Sequence, residues 1–270
     1  MSEDLARIAL LAARSAAELI RDRAAHGVTV ADTKSSSVDP VTEADRAAEE
    51  LIRRLLRERR PDDAFQGEEG ADEPGTTGVR WVIDPIDGTV NFLYGLPQYA
   101  VSIAAELDGE VVAGVVLNAA TGTEYVAHTG PRPSATRDGE AIAVRAPAPL
   151  SQRLVATGFS YDAGLREIQA RALVHLLPRV RDIRRLGSCA LDLCHVAEGS
   201  VDGYVEEGVN LWDHAAGGLV ARLAGARTEL TAGAGGREVL ICAPEHGFDE
   251  FREAVREAGF LAGGEPGIGE

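Results

Sequence analysis

At 270 residues, 45% apolar and 26% charged, the chain is long enough to bury a sizeable core and too apolar for disorder as its general state. Its 27 Lys and Arg stand against 43 Asp and Glu, and the resulting formal charge of −16 repels nucleic-acid backbones and anionic lipid, so neither direct nucleic-acid binding nor membrane association is expected. The same excess would repel a phosphorylated substrate unless divalent cations were recruited to the site.

Met1 to Arg23 carries Glu3 and Asp4 near its start and lacks the basic start, apolar run and cleavage site of an export signal. No stretch of about 18 residues is free of charge, as a membrane span would require. Apolar residues at Leu5, Ile8, Ala12, Leu19 and Ile20 recur at helical spacing, and His26-Gly27 closes this first amphipathic helix. Lys34-Ser35-Ser36-Ser37 reads as a polar loop. A second helix starts near Thr42, which caps it with Asp45 three residues on, and it runs through Leu56 to stop before Pro61. Short apolar runs then predict strands over Trp81 to Ile83, Tyr99 to Leu107 and Val111 to Leu117, the last two joined as a hairpin around Asp108-Gly109-Glu110.

Residues 130–149 hold four prolines and separate this hairpin-rich half from an alternating one. Strands are predicted near Leu154 to Thr157, Ile183 to Leu186, Val201 to Val205, Arg227 to Leu230 and Val239 to Cys242. Helices are predicted over Leu165 to Leu177, Cys189 to Ala197, Asp213 to Ala224 and Asp249 to Ala258, before a frayed tail over 263–270. The expected organisation is one domain over 1–270 with mixed, layered α/β (α+β) architecture and two sub-lobes, roughly 1–145 and 146–262. Three cysteines, Cys189, Cys194 and Cys242, form neither a CxxC pair nor an even framework and suit small core positions in a reduced, cytoplasmic protein.

The most informative segment runs from Trp81 to Phe92, where an apolar strand ends in Asp84-Pro85-Ile86-Asp87-Gly88-Thr89. Pro85 stiffens a turn from which Asp84 and Asp87 can both point at one cation, with the carbonyl between them as another hard oxygen donor. Gly88 lets the backbone approach a ligand, and amides of Gly88 and Thr89 would face phosphate if they open a short helix. Asp-Pro and Asp-Gly are also ordinary turn dipeptides, so a plain tight turn stays open. Gly67-Glu68-Glu69 places two carboxylates on a tight loop, which could equally be a solvated acidic loop. Trp212-Asp213 opens a helix followed by the small residues Ala215, Ala216, Gly217 and Gly218, where Asp213 alone would be a cap.

Together these three motifs, in this order, resemble the inositol monophosphatase family, with the bacterial inositol-1-monophosphatases the most similar branch. The resemblance extends from the Lys34 loop to the Asp213 helix. It implies a layered αβαβα sandwich with mixed sheets and magnesium, two to three ions per site, held by Glu68, Asp84, the carbonyl of Ile86, Asp87 and Asp213. It implies that Thr89 and Glu68 activate the attacking water, that Asp45 assists near an additional, weaker metal, and that Gly88 and Thr89 amides hold phosphate. Lys34 matches a lysine near an entrance loop. The implied reaction is hydrolysis of inositol monophosphate to inositol and phosphate by in-line attack of metal-activated water. Lithium sensitivity and a homodimer are implied as well. No Cys, Ser or His nucleophile is required, and His214 beside Asp213 is assigned a structural role because magnesium prefers oxygen.

By the same resemblance, Glu206 in Tyr204-Val205-Glu206-Glu207-Gly208 accepts hydrogen bonds from inositol hydroxyls, and Gly187, Ser188 and Cys189 line the substrate's other edge. Cys189 departs from the alanine or threonine often found there. Relatives with the same metal motifs act on histidinol phosphate, fructose 1,6-bisphosphate or adenosine 3′,5′-bisphosphate, and the Arg184-Arg185 pair is the nearby basic candidate for a second phosphate. Some bacterial relatives instead bind the transcription machinery, a partner role that need not involve turnover.

Overall fold

Alanine sets how closely the first helix can sit on its neighbours. In the computed structural model, which describes residues 1–26, 30–33 and 40–263, α1 (Ser2–His26) buries Leu5, Ala6, Ala9, Ala12, Ala13, Ala16, Ala17 and Ile20. Glu3 and Asp4 lie in its first turn and Arg23 and His26 in its last, each complementing the helix dipole. Lys34, the whole Lys34 to Ser37 loop and the tail beyond Gly263 lie outside the described residues. β1 (Val30–Thr33) pairs antiparallel with β2 (Pro40–Thr42). α2 (Glu43–Arg59) opens on the expected capping box of Thr42 and Asp45.

The first large sheet is built from β3 (Ala64–Gly67), β4 (Val79–Asp87), β5 (Ala100–Leu107), β6 (Glu110–Asn118), β7 (Glu124–His128), β8 (Ser134–Arg137) and β9 (Glu140–Ala141), adjacent in chain order. Only β3 and β4 run parallel; the others are antiparallel. The short helix α3 (Thr89–Tyr94) interrupts the sequence after β4. The β5–β6 hairpin forms as expected, through Asp108 and Gly109 with φ of 53° and 89°, the two left-handed residues of a tight hairpin turn. β7 to β9 were not expected, and β8 and β9 lie inside the proline-rich segment. They are short, partly polar and run towards an edge of the sheet, where little apolar patterning is required.

The second sheet collects β10 (Leu154–Thr157), β11 (Asp182–Arg184), β12 (Gly203–Glu207), β13 (Ala226–Ala232) and β14 (Glu238–Pro244) in the order β11-β10-β12-β14-β13. It is mixed, with β10 parallel to β11 and β12 and the β12–β14–β13 side antiparallel. Its helices are α4 (Ala163–Leu176), α5 (Cys189–Ala197), α6 (Leu211–Leu223) and α7 (Phe248–Ala258). Three apolar cores define the layers. Trp81, Ile83, Val101 and Ile103 face α1 and α2. On the other face, Val82, Ala100, Ala104 and Val116 join α5, α6 and the second sheet's Tyr204, Leu240 and Cys242. Val155, Val205, Val239 and Ile241 pack on α4 and α7. The result is helix, sheet, helix, sheet, helix, the αβαβα sandwich that the resemblance implied, and the α5–α6 layer lies between both sheets.

Candidate active site

Parallel pairing does the first positioning. β3 lies beside β4 with Gly67 opposite Ile83, and the Glu68 amide donates to the Ile83 carbonyl at 3.1 Å, so Glu68 leaves the sheet next to Asp84. β4 does not end in a free proline turn. It continues to Asp87 as a bulge in which Pro85 and Ile86 oppose Val101 alone, flanked by the pairs Asp84 with Ser102 and Asp87 with Ala100. A bulge accommodates proline without costing a ladder hydrogen bond, and the Ile86 amide closes it by donating to Asp84 Oδ1 at 3.0 Å.

Gly88 then takes a φ of 96° to start α3, and a Cβ there would lie 2.8 Å from the Gln98 carbonyl oxygen and 3.1 Å from that of Gly187. Asn91 on α3 donates to the carbonyls of Gln98 at 2.7 Å and Leu186 at 2.8 Å, tying this loop to the Leu186–Gly187 segment. The Thr89 hydroxyl shares its one proton between Asp45 Oδ1 at 3.1 Å and the Ile86 carbonyl at 3.0 Å. Asp45 is fully buried, with Oδ2 taking the Thr42 amide at 2.8 Å and the Thr42 hydroxyl, and it reaches the cavity through Thr89.

From the second half of the chain, α5 and α6 complete the wall. Asp87 Oδ2 accepts from the Ser188 hydroxyl at 2.6 Å and the Ala190 amide at 2.7 Å. Ser188, expected on the substrate's edge, is 1% exposed and is not on the cavity wall; its hydroxyl is spent on Asp87 and on capping α5. The helix starts before Asp213, which is therefore not its N-cap: Asn210 is, and Asp213, the third residue of α6, closes a capping box as its Oδ2 accepts the Asn210 amide at 2.6 Å. Small residues let this helix wedge in tightly: a Cβ on Gly114 would lie 2.9 Å from the Ala216 carbonyl oxygen, and one on Gly217 would lie 2.8 Å from that of Ala190.

One cavity of about 770 Å³ brings together Glu68, Asp84, Ile86, Asp87, Gly88, Thr89, Gly187, Cys189, Glu206 and Asp213. Glu206 accepts from the Tyr204 hydroxyl at 2.6 Å, and a Cβ on Gly158 would fall 1.8 Å from its Oε2. Several wall residues carry no motif: Gly158 to Ala163, Val209 and Arg237. The first group follows β10 directly, and the loop after a parallel strand is where ligands bind in such sheets, so position rather than residue type was the available signal. Of the two adjacent arginines, Arg185 reaches the cavity, whereas Arg184 pairs with Asp182 at 2.7 Å. His214 is not on the wall, and burial with nearby Arg222 lowers its pKa to about 4, leaving it neutral.

The electrostatics are those of crowded acids. Burial raises the Asp87 pKa to about 7, with Asp192 and Glu68 adding to the rise against the pull of Ser188 and Ala190. Burial, Asp87, Glu68 and Glu206 push Asp213 well above the usual carboxylate range. Glu206 rises to about 7, again chiefly from burial. Among the described residues no three His, Cys, Asp or Glu side chains already converge closely enough to hold an ion. Even so, four carboxylates on one wall, with the pKa values of Asp87 and Asp213 raised by burial and by their acidic neighbours, make a donor set of hard oxygens whose repulsion a divalent cation would relieve. The residues present fit such ions.

Comparison with known proteins gives one consistent family. The model of the Inositol monophosphatase family matches residues 1–258. The chain is 46% identical over 243 residues to the Inositol-1-monophosphatase of Mycobacterium bovis, covering 87% of this chain and 84% of that protein. It is 39% identical over 220 residues to the Nus factor SuhB of Pasteurella multocida, covering 81% and 82% of the two. The solved structure of Mycobacterium tuberculosis SuhB is similar with a TM-score of 0.83 and 42% identity, over 97% of this chain and 99% of that one.

Proposed function

The chain belongs to the inositol monophosphatase family, and from that premise we propose that it hydrolyses inositol monophosphate to inositol and phosphate with two to three magnesium ions. Glu68, Asp84, Asp87, Asp213 and the Ile86 carbonyl would hold them. When bound, these cations supply Lewis-acid chemistry: neutralisation of phosphate charge, acidification of water and stabilisation of the leaving oxygen. Gly88 and Thr89 amides, at the opening of α3, grip the phosphate oxygens. The Thr89 hydroxyl gives its proton inward to Asp45 or to the Ile86 carbonyl, so a lone pair is left to orient the attacking water, whose proton passes towards Glu68. A new P–O bond forms in line as the bond to the inositol oxygen breaks, and that oxygen takes up a proton from solvent.

The observation that carries this reading is convergence: Glu68, Asp84, Asp87 and Asp213, from separate parts of the chain, line the same cavity as Gly88 and Thr89. Glu206, braced by Tyr204, would accept hydrogen bonds from a polyol, and its position on the cavity wall supports that role. Arg185 and Arg237 on the same wall favour a second reading, a substrate with a second anionic group such as fructose 1,6-bisphosphate or adenosine 3′,5′-bisphosphate. The relatives named Nus factor SuhB support a further, non-catalytic partner in the transcription machinery. Lithium sensitivity belongs to the same reading, and so does a homodimer, supported by the exposed apolar side chains of Tyr94 and Leu96. Three free, buried cysteines support the cytoplasm as its compartment, and no described helix is long and apolar enough to cross a membrane.

Phosphate release with magnesium or with chelator, across inositol 1-phosphate, histidinol phosphate, fructose 1,6-bisphosphate and adenosine 3′,5′-bisphosphate, tests the reading. Magnesium-dependent release is expected, fastest from inositol 1-phosphate. Faster release from a bisphosphate moves the assignment to the second reading, and release from none of them overturns both.

A further inference from the structure

Behind the cavity, α2 carries a buried pair one helical turn apart, Glu49 and Arg53, 2% and 7% exposed. A buried carboxylate needs compensation, and Glu49 obtains it from the loop that bears Glu68. Its Oε2 accepts the Glu69 amide at 2.8 Å and its Oε1 accepts the Gly70 amide at 2.9 Å. The Arg53 Nε donates to the same Oε1 at 2.8 Å, and its Nη1 reaches the Ala71 carbonyl and Glu73, each at 3.1 Å. The loop is closed at its base by reciprocal backbone bonds between Phe65 and Glu73, at 2.9 and 2.8 Å. Two glycines make the approach feasible, since a Cβ on Gly67 would lie 2.2 Å from Glu49 Oε1 and one on Gly70 would lie 2.8 Å from it. The backbone around Glu68 is therefore held on both sides, by the Ile83 carbonyl at its own amide and by Glu49 at the next two.

We propose that Glu49, backed by Arg53, is a positioning residue for cation binding: it fixes the Glu68 loop so that the Glu68 carboxylate stands ready for a divalent ion. This inference rests on the phosphatase reading given above. Glu49 is not among the residues that line the cavity, so its effect is transmitted through the two amides it holds. Glu49→Gln replaces one of the two acceptor oxygens with an amino group that cannot take the loop N–H, and removes the charge that Arg53 faces.

The test is Mn²⁺ binding to the purified full-length protein without substrate, measured by electron paramagnetic resonance or calorimetry, beside steady-state kinetics at varied magnesium. For Glu49→Gln the expected result is a roughly 10- to 100-fold weaker Mn²⁺ affinity, the range typical of lost outer-shell support. Activity should fall at low magnesium and recover at high magnesium, with substrate KM unchanged at saturating metal. Unaltered Mn²⁺ affinity, with only a lower melting temperature of the metal-free protein, would overturn the proposal by making the pair purely structural. Should Glu49→Gln fail to fold, Arg53→Lys keeps the charge and loses the bridging geometry; a several-fold weaker Mn²⁺ affinity is then expected, and wild-type affinity overturns the proposal. Wild-type protein that neither binds Mn²⁺ nor releases phosphate would instead defeat the underlying phosphatase reading.

Discussion

Asp87 presents one oxygen to the cavity side while the other is occupied by Ser188 and Ala190, so its orientation is set from the second half of the chain. Asp87→Asn keeps the shape but discards a charge that burial and Glu68 already oppose. Turnover should drop by about 100-fold or more, while the metal-free variant should melt no lower than wild type; near-normal magnesium-dependent activity would remove Asp87 from the ligand set. Glu206 makes a different prediction because its proposed role lies at the polyol, away from phosphorus. Glu206→Ala should reduce kcat/KM for inositol 1-phosphate by about 10-fold or more, the cost of a lost charged hydrogen bond, and spare an aryl phosphate. Equal losses on both would exclude it from specificity. Residues inside compact motifs were legible in the sequence because several donors fall within a few positions. Gly158, Phe159 and Arg237 were not, since each reaches the wall by tertiary placement alone. Glu49 was hidden for a related reason: on α2 it reads as one more charge on an amphipathic helix, and only the folded loop shows what its oxygens accept.

Helices and long strands were readable from periodicity, and α2 even from its cap, because burial on one face imposes a repeat that the residues must obey. The bulge at Pro85 escaped that reading. Proline looks like a stop, yet in a bulge it leaves the ladder intact on both sides. β7 to β9 escaped for lack of a long apolar run. One tight seam between elements is where β6 meets α6, with Gly114 directly beneath Ala216. Gly114→Val would force that seam apart and drag Asp213, less than one turn from the contact, away from the cavity. A loss of about 1–3 kcal/mol in urea unfolding is expected, together with weaker magnesium binding. Wild-type magnesium affinity in a destabilised variant would show that α6 can shift without moving Asp213.

Across the whole protein, the acidic cavity couples stability to pH and to cations. In the metal-free fold Asp87 and Glu206 hold protons up to about pH 7, well above their ordinary values. Both pKa values are raised on folding, so their contribution is fully present below the ordinary carboxylate range and is lost as pH rises through about 7. Cations that replace those protons should reverse the loss. Melting temperatures in chelator should therefore fall between pH 5 and pH 8 more than those in magnesium, and an equal fall in both would contradict the coupling. Chain order has a further consequence. The first sheet is complete by Ala141, whereas α6 and its Asp213 arrive some seventy residues later. At about 5–20 residues per second, a ribosome exposes Glu68, Asp84 and Asp87 for seconds before their last partner emerges. A nascent chain of this protein thus spends an interval with three of the four carboxylates proposed to hold cations on display, and the final wall is hung only as synthesis nears its end.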